Sequence, residues 1–168
     1  MSTQNPFAAA PGKIAIRMVL LVALALAAPF AAADVTVSQP WVRGTVAPQK
    51  VTGAFMKLKS DRDVKLVAAS SPVAKLVEIH EMTTVKDVMR MRPVTELALP
   101  AGKDVELKPG GFHLMLMGIE RQFKQGDVVP ITLSVQESDG KTRTIEVKAE
   151  VRDLTASGSA RGMSHDKH

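Results

Sequence analysis

The sequence predicts an all-β fold. Short apolar-rich segments alternate in character, turn residues separate them at regular intervals, and no long stretch carries the 3.6-residue period of an amphipathic helix. With about eight or nine such segments, the expected architecture is a Greek-key β-barrel or sandwich.

In chain order, Val35-Thr36-Val37 alternates, and Pro40 then interrupts before Trp41-Val42. Gly53 to Lys59 is a second predicted strand, and Val64 to Ala69, after the polar turn Asp61-Arg62-Asp63, a third. Leu76 to Met82 alternates cleanly, with Val77 and Ile79 on one face and Glu78, His80 and Met82 on the other. Val85 to Leu97 is broken by Pro93 and reads as one irregular strand or two short ones. Asp104 to Leu107, bounded by Ala101-Gly102 and Pro109-Gly110-Gly111, reads as a short edge segment. Phe112 to Met117, Val128 to Glu137 and Thr142 to Val151 complete the set. The last two are joined by Ser138-Asp139-Gly140-Lys141, whose Asp-Gly pair suits the positive φ angles of a tight hairpin.

The ends differ from this body. Lys13 and Arg17 precede an uninterrupted apolar run from Met18 to Ala28, and Ala31-Ala32-Ala33 supplies small residues before Asp34. That order predicts a secretory signal peptide over residues 1–33, cleaved just before Asp34. As a helix the run would rise only about 16 Å at about 1.5 Å per residue, against a hydrocarbon core of about 30 Å, so it is too short for a membrane anchor. No cysteine stands near the cleavage point to carry a lipid. The β domain is expected over 34–153, and the small, polar residues 154–168 as a disordered tail.

Composition removes several functions. The absence of Cys excludes disulfides, zinc–thiolate and iron–sulfur sites, thiol nucleophiles and cysteinate copper centres. Removing Lys13 and Arg17 leaves 20 basic against 17 acidic groups, an ordinary surface rather than a polyanion-binding one. No Tyr and a single Trp leave no stacking platform for nucleic acid. No nucleophile–base set or dinucleotide or phosphate loop is present, so an enzyme is not expected.

The chemistry concentrates from His80 to Met115, with Met117 just beyond. Here fall both histidines of the domain and the methionines Met82, Met89, Met91, Met115 and Met117, five of the nine in the chain. On a strand His113 and Met115 project together while Phe112, Leu114 and Leu116 face the core. His80 lies on the polar face of its strand, and Met91 sits between Arg90 and Arg92, an odd place for a core methionine. These four donors suit one Cu(I): imidazole and thioether are soft and neutral, whereas zinc prefers carboxylate or thiolate beside His. Methionine is also common core filler and a lone His commonly a satisfied polar residue, so the residues alone leave both readings open.

The spacing from His80 through Met91 and His113 to Met115 resembles the H-x10-M-x21-H-x-M signature of the PCu(A)C family of periplasmic copper chaperones. The surrounding E-I-H-E-M, V-M-R-M-R-P-V and K-P-G-G-F-H-L-M-L-M-G agree, and the similarity spans roughly residues 35–151. The resemblance implies a cupredoxin-like barrel holding one Cu(I) through His80, Met91, His113 and Met115. It also implies delivery to the binuclear copper centre of cytochrome c oxidase subunit II, or exchange with another copper chaperone. A periplasmic monomer, at most peripheral to the membrane, is expected. Copper scavenging or tolerance through the same site is the alternative, and a copper-independent adhesion or assembly sandwich a third reading. Met82 and Met117 fit either an apolar collar or transient ligands, and Met163, His165 and His168 in the tail either chance residues or an auxiliary Cu(II) site.

Overall fold

The computed structural model describes residues 33–85 and 88–153. Apart from Ala33, which is buried in the core cluster, the expected signal peptide lies outside the described residues, as does the expected tail. The described chain is all-β, with ten strands: β1 (Val35–Arg43), β2 (Val51–Ser60), β3 (Val64–Ser70), β4 (Leu76–Val85), β5 (Val88–Val94), β6 (Leu97–Leu99), β7 (Asp104–Leu107), β8 (Phe112–Met117), β9 (Val128–Glu137) and β10 (Thr142–Arg152). They form one sheet in the order β5-β4-β8-β7-β2-β1-β10-β9-β3-β6. Chain neighbours are often not sheet neighbours, as the predicted Greek-key topology requires.

The sheet curls so that one face encloses a single core. Ile79 of β4 and Leu114 and Leu116 of β8 share one buried cluster with Leu66 of β3 and Val129, Ile131, Leu133 and Val135 of β9. Leu114 and Leu116 are fully excluded from solvent. Because strand side chains alternate, sinking these two leucines turns His113 and Met115 to the opposite face.

The prolines act more mildly than expected. Pro40 does not end β1. The register passes from Ser38↔Lys57 to Trp41↔Phe55, so Gln39 and Pro40 together oppose Met56 in a bulge, with Gln39 at φ 51°. The bulge takes the residue without an N–H out of the ladder. Pro93 does not break β5 either, because β5 is an edge strand and a missing donor leaves no gap on the open side. The tenth strand, beyond the expected eight or nine, comes from the three-residue β6, which pairs with β3. Asp104–Leu107 continues the line of β8 along one edge of β2, which pairs with β8 through Val51–Ala54 and with β7 through Met56–Lys59. Apart from the single bridge Leu107↔Phe112, β7 pairs only with β2 among the described residues, as a short edge segment does. In the β9–β10 turn only Gly140, at φ 83°, takes a positive φ.

Leu114 lies between Ile79 and Ala54 as their register partner. Leu114→Ala is expected to lower unfolding free energy by about 3 kcal/mol in a denaturant titration, the range for a fully buried leucine being about 2–5 kcal/mol. A loss below about 1 kcal/mol would mean that β8 does not carry the core.

Candidate metal centre

The four predicted donors come from three adjacent strands and one face. His80 of β4 and His113 of β8 are direct register partners, with ring centroids 5.8 Å apart and planes 51° apart. Met115 follows two residues after His113, opposite Glu78 on β4 and Gly53 on β2. Met91 of β5 lies opposite Met82 of β4, one same-face step beyond His80. Met82, Met91, His113 and Met115 line a cavity of about 120 Å³, with Gly53, Phe55 and Arg43 also in its wall. His80 stands beside this lining, its ring against that of His113. A larger cleft, about 390 Å³, is lined by β3, β6 and the β9–β10 turn and has no His or Met in its lining.

The donors differ in exposure. His113 is buried at 4% exposure, whereas Met91 is 44% exposed. Met89, opposite Thr84 on the same hairpin, is still more open, and Met117 lies one same-face step past Met115. Met82 is the extra methionine that shares the cavity. The tail residues Met163, His165 and His168 lie outside the described residues.

Local backbone geometry holds His113. Gly110 takes φ 82°, which a side chain rarely adopts, and turns the chain into β8. The carbonyl of Gly111 then accepts two hydrogen bonds, from the Met82 backbone N–H at 3.2 Å and from His113 Nδ1 at 3.0 Å. A carbonyl only accepts, so the Nδ1 of His113 carries the hydrogen and its Nε2 keeps the lone pair in the neutral ring. On His80, Nε2 lies 2.8 Å from Glu78 Oε2, and Nδ1 is buried without a partner.

Sequence reasoning did not single out the wall opposite β4. A Cβ on Gly53 would meet Phe55 Cζ at 2.8 Å, so the Phe55 ring occupies the space that a side chain opposite Met115 would fill. Trp41 stacks on Phe55 at 4.4 Å between centroids, and Arg43 lies 5.7 Å over the Phe55 ring. The Phe55 ring is itself 6.2 Å from that of His113. A glycine inside a predicted strand, two residues before a phenylalanine, was the available signal.

Burial pushes the His113 imidazole below its ordinary range, the bond to Gly111 opposes this, and the nearby His80 and Arg43 push it further down. The unfolded chain therefore takes up a proton at His113 more readily than the folded one. The folded state gains relative stability above the unfolded value of about 6.5 and loses it as pH falls through the folded value. Unfolding free energy of the metal-free protein is expected to fall as pH is lowered from 7 towards 5. Denaturation across that range should show a shallower decline for His113→Asn, and equal slopes would refute the assignment.

The LpqE-like family model ("Putative lipoprotein LpqE-like") matches residues 35–151. The "Putative lipoprotein Lxx21020" of Leifsonia xyli subsp. xyli is 33% identical over 116 residues, 67% of this chain and 68% of that protein. Among solved structures, apo-DR1885 from Deinococcus radiodurans is 30% identical, with a TM-score of 0.53 over 91% of this chain and 97% of its own. The apo PCuAC domain of PmoF1 aligns at a TM-score of 0.57 with 21% identity, over 71% of this chain and 93% of its own. The copper-bound PCuAC domain of PmoF2 aligns at 0.54 with 21% identity, over 73% of this chain and 97% of its own. The chain thus belongs to the LpqE-like family and has the cupredoxin-like β fold of PCuAC domains.

Proposed function

We propose that this protein is an exported Cu(I) carrier that binds one ion through His80, Met91, His113 and Met115 and passes it to an acceptor. The observation that carries the reading is the His80↔His113 pairing, which gathers two imidazoles and a set of thioethers on one face. Among the described residues no group of three His, Asp or Glu side chains is placed to hold a harder cation. Neutral soft donors suit a monovalent ion, because no buried carboxylate cluster has to be neutralised. Thioethers bind without losing a proton and form no disulfides, which fits work in an oxidising compartment. The copper-bound PCuAC domain of PmoF2 supports the choice of metal.

Export is supported by the basic–apolar–small order of residues 13–33 and by the lipoprotein descriptions of the family and of the Leifsonia xyli relative. No cysteine occurs among the 168 residues, so a cysteine-linked lipid has no attachment point within them. The acceptor we favour is the binuclear copper centre of cytochrome c oxidase subunit II, on the strength of the sequence signature. Transfer is a ligand exchange: an incoming donor replaces the exposed Met91 first, and the buried His113 lets go last.

In an anaerobic competition with a chromophoric Cu(I) chelator, the protein is expected to take up one tight Cu(I). A Met91→Ala, His113→Ala, Met115→Ala triple variant should lose it, and a chain ending at Leu154 should keep it. Uptake that survives the triple variant but not the truncation would move the metal to the tail, and no uptake at all would end the copper reading. Deleting the gene should lower oxidase activity at limiting copper. Raised copper sensitivity with normal oxidase activity would instead make the protein a scavenger.

A further inference from the structure

We infer that Glu78 is a positioning residue of the metal centre, and that it sets His80 to bind through Nδ1 while His113 binds through Nε2. This assignment rests on the copper reading above and adds which atoms bind and what orients them.

Glu78 and His80 are two residues apart on β4, so both side chains leave the same face with Cα atoms about 7 Å apart. The carboxylate reaches along the strand to the ring, with Oε2 2.8 Å from Nε2. An ionised carboxylate has no hydrogen to give, so the ring supplies it, and Nε2 is the protonated nitrogen. In the neutral imidazole the lone pair is then on Nδ1, the buried atom without a hydrogen-bond partner. A buried acceptor with nothing to accept is costly and rare, and calls for a reason. A soft cation beside the His113 ring supplies one, because it would take that lone pair.

The two histidines are oriented by opposite means. On His113 the backbone carbonyl of Gly111 holds Nδ1–H, and on His80 the carboxylate of Glu78 holds Nε2–H. Each ring is left with one free nitrogen, and these are the atoms offered to the metal. Ligating histidines generally donate their second N–H in this way, which fixes the tautomer and the ring orientation. Among the described residues no lysine or arginine pairs with Glu78, whereas on the same strand Glu81 is held by Arg92. Glu78 also lies directly opposite Met115, so its carboxylate belongs to the same face as the donors without being one of them.

The test uses the full exported chain, with ¹⁵N-labelled histidine and two-bond ¹H–¹⁵N correlation, which separates the tautomers of each ring. Without metal, His80 is expected as the Nε2–H form and His113 as the Nδ1–H form. Glu78→Gln keeps an acceptor oxygen and should preserve the His80 pattern, whereas Glu78→Leu should shift it towards a mixture. On adding Cu(I), which is diamagnetic, the His80 Nδ1 resonance should move and Nε2 should keep its hydrogen. Cu(I) affinity, read by chelator competition, should fall about 10–100-fold in Glu78→Leu and recover to near wild type in Glu78→Gln. Finding Nδ1–H on His80 of the metal-free protein overturns the assignment, as does copper on Nε2, and in either case the copper site itself can stand. No Cu(I) uptake by the wild-type chain overturns the copper reading and this assignment together, even with the expected tautomers. Equal affinities for wild type and Glu78→Leu reduce Glu78 to a surface carboxylate and overturn its role.

Discussion

The arrangement depends on the pairing of β4 with β8. Leu114 and Leu116 on one side of β8 are sealed into the core, and Val77 and Ile79 on β4 join them. A slip of one residue would turn every side chain over, burying His80 or His113 in hydrocarbon and exposing the leucines. The cost of that slip is what makes His80 meet His113. The core thus specifies the register, and the register brings the proposed donors together, although no core residue is one of them. Gly111 reinforces the same alignment, since its carbonyl takes both the Met82 N–H and the His113 Nδ1–H.

Much of this was readable in the chain. The period-two alternation of Leu76 to Met82 and Phe112 to Met117 predicts which residues face the core and which face outward, and the burial of Val77, Ile79, Leu114 and Leu116 agrees. Proline was the poorer guide. Its missing N–H matters only where the ladder needs it, and Pro40 sits in a bulge while Pro93 sits at an edge. Neither circumstance can be read locally. The placement of β7 was hidden for a related reason: four residues between glycine turns do not show that they continue β8 along the edge of β2. Long-range pairing decides it.

The missed parts of the site share a cause. Phe55, Gly53, Arg43 and Glu78 are not metal donors by type in a soft site, so donor spacing does not find them. Gly53 is needed because the Phe55 ring folds back over it, and only the cross-strand pairing of Gly53 with Met115 turns that local event into a wall of the cavity. Glu78 reads from sequence as one more polar residue on an outward face. Its meaning comes from a hydrogen bond and from the unpartnered nitrogen on the far side of the His80 ring.

The four proposed donors are not anchored alike, and that inequality fits a carrier better than a store. Three stand on β4 and β8, strands whose other face is locked into the core. Met91 stands on β5, where every residue from Val88 to Pro93 is exposed. That strand is held by its ladder to β4 and by Arg92, whose Nε and Nη2 both reach Glu81 Oε2, at 3.0 and 2.6 Å. An exposed pair of this kind is worth little in water, and a strand that packs only its last residue, Val94, against the core opens at low free-energy cost around Met91. A site closed by one loosely held thioether can release that donor to an incoming ligand without disturbing the core. Anchoring all four on buried strands would tighten the grip and slow the exchange.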